Sequence, residues 1–118
     1  KNWEGSTCWS TTGRSGPVEL FFLIDTGCSQ TALTKSTIEY LINNGIRVTK
    51  TGSGWFNTAC GLREFDEYEI QSITIGGTTF KNLPIGAVEG GDNLLGMDIL
   101  GSFGTLEFNL EQKTLVLE

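Results

Sequence analysis

Asp25 closes the apolar run Phe21-Phe22-Leu23-Ile24 and is followed at once by Thr26, Gly27 and Cys28. A run this apolar is expected to be buried. A carboxylate at its end is expensive to desolvate unless it is hydrogen-bonded or put to chemical use. Two roles therefore compete for Asp25. It is either an Asx-type turn residue whose side chain bonds the backbone near Gly27, or a carboxylate held in place for acid–base work. A second stretch, Asp92-Asn93-Leu94-Leu95-Gly96-Met97-Asp98-Ile99-Leu100, has the same physical character. It too is an apolar run broken by a glycine, as needed where one backbone must approach another closely. The two stretches are far apart in sequence, but a small β domain can bring them together.

Elimination narrows the chemistry. None of the 118 residues is a histidine, which removes Ser-His-Asp and Cys-His catalysis and the His-Glu-x-x-His zinc site. The three cysteines, Cys8, Cys28 and Cys60, are too few for a four-cysteine zinc site. Catalysis must then rest on carboxylates, Lys, Tyr or a free thiol, and neither a metal nor an organic cofactor is expected. An odd cysteine count is not a disulfide framework. With no imidazole to activate it, Cys28 reads better as a small packed residue than as a nucleophile. The net charge of −6, with eight scattered Lys and Arg, argues against a nucleic-acid partner. No apolar run approaches the ~18 residues needed to cross a bilayer, so no membrane partner is expected for this stretch. Thr51-Gly52-Ser53-Gly54 lacks the rest of a phosphate-binding fingerprint. A start at Lys1 without a leader-like segment suggests a piece of a longer chain.

The positioning elements are mostly strands, as sixteen glycines at this length suggest. A hairpin is expected around Gly13-Arg14-Ser15-Gly16, with Pro17 opening its second strand and Phe21–Ile24 covered on both faces. One helix is expected, capped by Ser36 with Glu39, carrying the stripe Ile38, Leu41 and Ile42, and stopped at Asn44-Gly45. Further hairpins are expected with a tip near Ala59-Cys60-Gly61, at Gly76-Gly77 and around Glu111-Gln112-Lys113. Leu83 to Val88 reads as a separate short strand. The whole, residues 1–118, reads as one mostly β domain.

Phe-Leu-Ile-Asp25-Thr26-Gly27, a helix-prone segment, a glycine-bearing hairpin and then Leu94-Leu95-Gly96-Met97-Asp98-Ile99-Leu100 together resemble the retropepsin-like aspartic proteases, closest to their cellular and bacterial single-domain members. The resemblance runs from about residue 8 to 117. It implies an all-β fold, a closed β-barrel-like acid-protease half with one short helix. It also implies an aspartic endopeptidase acting on peptides or proteins. Only Asp25 stands in an Asp-Thr/Ser-Gly context, so the family pattern implies a homodimer in which two copies of Asp25 meet. Asp25, Thr26 and Gly27 would be the catalytic triplet, with the Thr26 hydroxyl bonding the opposite subunit's backbone. Trp55, Asn57, Thr58, Ala59, Cys60 and Gly61 would belong to a substrate-covering flap. Leu94, Leu95 and Gly96 would lie beneath and beside the active-site loop and complete the substrate-binding set, and Leu115 to Leu117 would contribute to the dimer interface. Two features depart from the family: Cys28 stands where Ala or Ser is usual, and the flap is less rich in glycine.

Two rivals keep the same residues. One is a dimerisation or peptide-binding module that retains the fold without catalysis. The other is a thiol redox domain, which would need Cys28 or Cys60 to ionise unusually easily. The acidic run Glu64, Asp66, Glu67 and Glu69 suggests either basic substrates or a solvated strand face, the latter being favoured.

Overall fold

A hairpin of β1 (Ser10–Ser15) and β2 (Val18–Ile24) comes first among the elements of a computed structural model that describes residues 9–58, 61–104, 106–109 and 114–117. The turn is tighter than the sequence suggests. Gly13, Arg14 and Ser15 are already in the ladder, paired with Leu20, Glu19 and Val18, and only Gly16 and Pro17 turn the chain. Gly16 takes φ +56, which glycine adopts without a Cβ penalty. Pro17 thus sits in the turn, and the second strand opens at Val18. Nor is Phe21–Ile24 covered on both faces. Leu20 and Phe22 point into the core while Phe21 is 54% exposed, the alternation of a barrel wall with one face inward.

After β2 come β3 (Ala32–Thr34), α1 (Lys35–Asn43), β4 (Val48–Thr58), β5 (Gly61–Ile75), β6 (Thr78–Val88), β7 (Asn93–Leu95) and the single turn α2 (Met97–Leu100). Six strands close a mixed barrel in the order β1-β2-β7-β3-β6-β5, and β4 lies outside it on β5. The closing seam is narrow: Arg14 pairs with Thr74, and the Ser15 hydroxyl donates to the Ser72 carbonyl (2.6 Å). Gly13 allows this approach, since a Cβ there would lie 2.8 Å from the Thr74 carbonyl oxygen. The interior is filled by Phe22, Leu33, Ile70, Ile73, Ile85 and Leu95, with Leu41 of α1 and Ile99 and Leu100 of α2 packed against them.

The helix starts earlier than the Ser36–Glu39 pair suggests. Thr34, still extended at φ −68 and ψ 153, is the N-cap, and its hydroxyl accepts from the Thr37 N–H (3.1 Å). The strand end therefore sets the helix start, and Ser36 and Glu39 fall on exposed helical positions. Ile38 and Leu41 are buried as expected, whereas Ile42 is 48% exposed. The helix ends at its C-cap Asn44, followed by Gly45 at φ +84.

Gly76 and Gly77, both at positive φ, make the two-residue turn between β5 and β6. Leu83 to Val88 is not a separate strand but the second half of β6. A separate two-stranded sheet pairs β8 (Leu106–Asn109) with β9 (Thr114–Leu117); the turn expected around Glu111-Gln112-Lys113 lies outside the described residues.

Candidate active site

Asp25 sits immediately beyond β2, where that strand runs parallel to β7 and Ile24 pairs with Leu95. Its N–H donates to the Leu95 carbonyl (3.0 Å), so the two glycine-broken stretches do meet. The chain then turns, with the Cys28 N–H donating to the Asp25 carbonyl (3.1 Å). Inside that turn the Gly27 N–H donates to Asp25 Oδ1 (2.9 Å). This is the Asx-type bond that the simpler reading of Asp25 foresees. It occupies only one carboxylate oxygen, and Oδ2 has no hydrogen-bond partner among the described residues. Asp25 is half-buried, and Thr26 and Gly27 are exposed.

Beneath the loop, β7 and α2 provide a floor. Leu95 and Gly96 are buried and Leu94 is half-buried, so Leu95 and Gly96 support the loop from below instead of facing outward. The Met97 N–H donates to the Cys28 carbonyl (2.8 Å). The Gly96 N–H donates to the buried Thr31 hydroxyl (3.1 Å), which in turn donates to Asp98 Oδ1 (2.7 Å). Asp98 also accepts from the Thr31 N–H (3.0 Å to each oxygen) and from the Ile99 N–H (2.8 Å). A second strut comes from buried Asn93, whose Oδ1 accepts from the Thr34 N–H (2.9 Å) and whose amide donates to the Phe21 carbonyl (3.0 Å). Neither Thr31 nor Asn93 carried a sequence signal. The sequence marks Asp98 only as part of the Leu94–Leu100 stretch; its place in the first turn of α2, a helical turn not expected from the sequence, comes from the structure.

Cys28 is 1% exposed, and its thiol donates to the Gln30 carbonyl (2.8 Å). Burial pushes its pKa up. The Gln30 bond opposes that shift, and the neighbouring carboxylates of Asp25 and Asp98 add to it. A thiol held protonated and out of solvent is a packing residue and not a redox nucleophile.

The β4–β5 hairpin reaches its tip where Thr58 pairs with Gly61. Ala59 and Cys60 lie outside the described residues, and for Asn57 and Thr58 only the backbone course is described: they pair with Leu62 and Gly61. Trp55, 63% exposed, lines an open groove of about 350 Å³ with Ser29, Gln30, Glu67, Leu83, Pro84 and Asp98. Gln30, five residues beyond Asp25, spans from loop to hairpin by donating its amide to Glu67 Oε2 (3.2 Å). Two members of the acidic run are paired on the surface, Asp66 with Lys50 (3.7 Å) and Glu69 with Arg47 (3.4 Å).

The profile of the family described as "gag-polyprotein putative aspartyl protease" matches residues 13–102, which takes in the Asp25 loop, the hairpin and the Leu94-Leu95-Gly96 floor. The chain belongs to the retropepsin-like aspartic protease family. Its fold is similar to a retropepsin-like aspartic protease from Rickettsia conorii (TM-score 0.67, 24% identity, covering 99% of this chain and 84% of the other). It is also similar to the retroviral protease-like domain of Ddi1 from Leishmania major (TM-score 0.55, 14% identity, covering 94% and 88%). At such identities the likeness speaks for the fold. A comparison with curated proteins gave no match.

Within this retropepsin-like barrel the described residues include no group of three His, Cys, Asp or Glu able to hold a metal ion. No helix among them is long and apolar enough to cross a membrane.

Proposed function

We propose that this retropepsin-like chain is an aspartic endopeptidase whose active unit is a homodimer, residues 1–118 acting as one protease domain. The observation that carries the reading is the state of Asp25. One oxygen is tied to the Gly27 N–H, which fixes the carboxylate, while the other is unpartnered among the described residues beside exposed Thr26. A single carboxylate can act as a base but cannot at the same moment donate a proton to the scissile carbonyl. A second copy related by a two-fold axis supplies the missing group.

Two carboxylates brought within about 3 Å hold one proton between them. In the proposed dimer the ionised member takes a proton from a bound water, which attacks the peptide carbonyl. The protonated member gives its proton to the carbonyl oxygen. The tetrahedral intermediate collapses as the first carboxyl passes the proton it took from water to the amide nitrogen, and the amine leaves. The second carboxylate takes back a hydroxyl proton, which restores one shared proton. Sharing of one proton places activity at acidic to mildly acidic pH. Thr26, exposed beside Asp25, would bond the partner's backbone, and Gly27 would let the substrate backbone pass close. The β4–β5 hairpin, with Trp55 to Gly61, would close over the peptide and exclude water, and the β8–β9 sheet would contribute to the dimer interface.

The test is cleavage of a denatured protein mixture between roughly pH 3 and pH 7 by the wild type and by Asp25→Asn. The proposal expects acid-dependent cleavage that the substitution abolishes. Peptide binding with no cleavage by either protein, or cleavage that survives Asp25→Asn, would contradict it.

A further inference from the structure

We propose that the groove between the Asp25 loop and the hairpin is a subsite for a Lys or Arg side chain of the peptide, with Glu67 as the residue that sets this preference. The inference rests on the protease reading for its substrate and adds the chemical class of one side chain. In the acidic run, Asp66 and Glu69 each have a cation, but Glu67 pairs with none among the described residues. Among the described residues its side chain has one hydrogen-bond partner, the neutral amide of Gln30, on one oxygen. A carboxylate accepts at two oxygens, so an incoming cation can bind without displacing that amide.

The walls suit the same occupant. Trp55 presents a large exposed indole over which an ammonium or guanidinium can sit. Leu83 and Pro84 offer apolar surface for the aliphatic stem of such a side chain. Asp98 also lines the groove and adds negative charge, though its oxygens are committed to Thr31 and Ile99. Among the described lining residues there is no Lys or Arg, so an acidic side chain would enter against two carboxylates with no cation among those residues to balance it. Ser29 and Gln30 continue directly from the Asp25 loop, which places the groove alongside a peptide passing that carboxylate.

The test separates the subsite from the chemistry. Fluorescently labelled peptides differing at one position in turn (Arg, Lys, norleucine or Glu) are titrated by anisotropy into Asp25→Asn and into Asp25→Asn/Glu67→Gln, neither of which needs to cleave. Far-ultraviolet circular dichroism confirms that both variants are folded. For at least one position, Arg and Lys peptides are expected to bind Asp25→Asn about tenfold more tightly than norleucine, with Glu weakest. In the double variant the basic preference should fall to within about twofold of norleucine. Equal affinity for all four, failure of all four to bind, or a basic preference that survives Glu67→Gln would overturn the assignment. Wild-type cleavage, measured separately, reports on the protease reading alone.

Discussion

Gly96 lies so close to the backbone of Gln30 that a Cβ on it would stand 2.7 Å from the Gln30 carbonyl carbon and 2.9 Å from its oxygen. A third obstruction, the Cys28 carbonyl oxygen, would be 2.9 Å away. All three are main-chain atoms of the loop that carries Asp25, so no side chain can swing aside to make room. Gly96 is required here for space alone; its φ of −97 is open to any residue.

Gly96→Ala is therefore expected to destabilise the fold by about 1–3 kcal/mol, the usual range for overpacking a filled interior. Urea unfolding of the two proteins checks it through a lower midpoint at unchanged slope. The same shift would lift the Asp25 loop from its floor, so activity should fall more than stability alone accounts for.

Thr31 and Asp98 join the loop to α2, and substitution distinguishes the hydroxyl from its bulk. Thr31→Val keeps the shape but leaves the buried Gly96 N–H without its acceptor and removes one donor from Asp98. A loss of about 1–3 kcal/mol is expected. Thr31→Ser restores both bonds and should recover most of it. Parallel denaturation of the three proteins decides whether the hydrogen bonds or the methyl group matter.

Cys28 gives a pH dependence whose sign follows from its raised pKa. The folded protein holds the thiol proton to higher pH than the unfolded chain does. Its contribution is thus fully present below the ordinary thiol value of 9.0 and is lost as pH rises from there through the folded value. Stability of the wild type should decline more steeply above pH 9.0 than that of Cys28→Ala. At neutral pH, peptide mapping after brief alkylation should find Cys28 unmodified in the native protein and modified in denaturant.

What the sequence showed plainly were features with a local chemical mark. Asp25 at the end of an apolar run, Gly96 at a point of close approach, Gly45 at the helix stop and Gly76-Gly77 at a turn each constrain the backbone where they stand. Features that depend on distant partners left no such mark. Thr34 caps the helix because β3 delivers it there in extended form, overriding the Ser36–Glu39 pattern. Phe21 is exposed because the barrel offers β2 only one interior face. Leu83 to Val88 joins Thr78 onward in one strand because β5 pairs with both parts. The Thr31–Asp98 and Gln30–Glu67 bonds, which tie the loop to its floor and to the hairpin, span 67 and 37 residues. Neither end of either pair announces the other.

Whether two copies of Asp25 build one site can be read from mixed dimers. Wild type and Asp25→Asn are denatured together in equal amounts, refolded to randomise the dimers, and assayed for peptide cleavage at acidic pH. If each site needs both carboxylates, only wild-type pairs cleave, and activity should fall to about a quarter of that of wild type refolded alone at the same total concentration. Retention of about half, the value for subunits that work independently, would contradict a shared site.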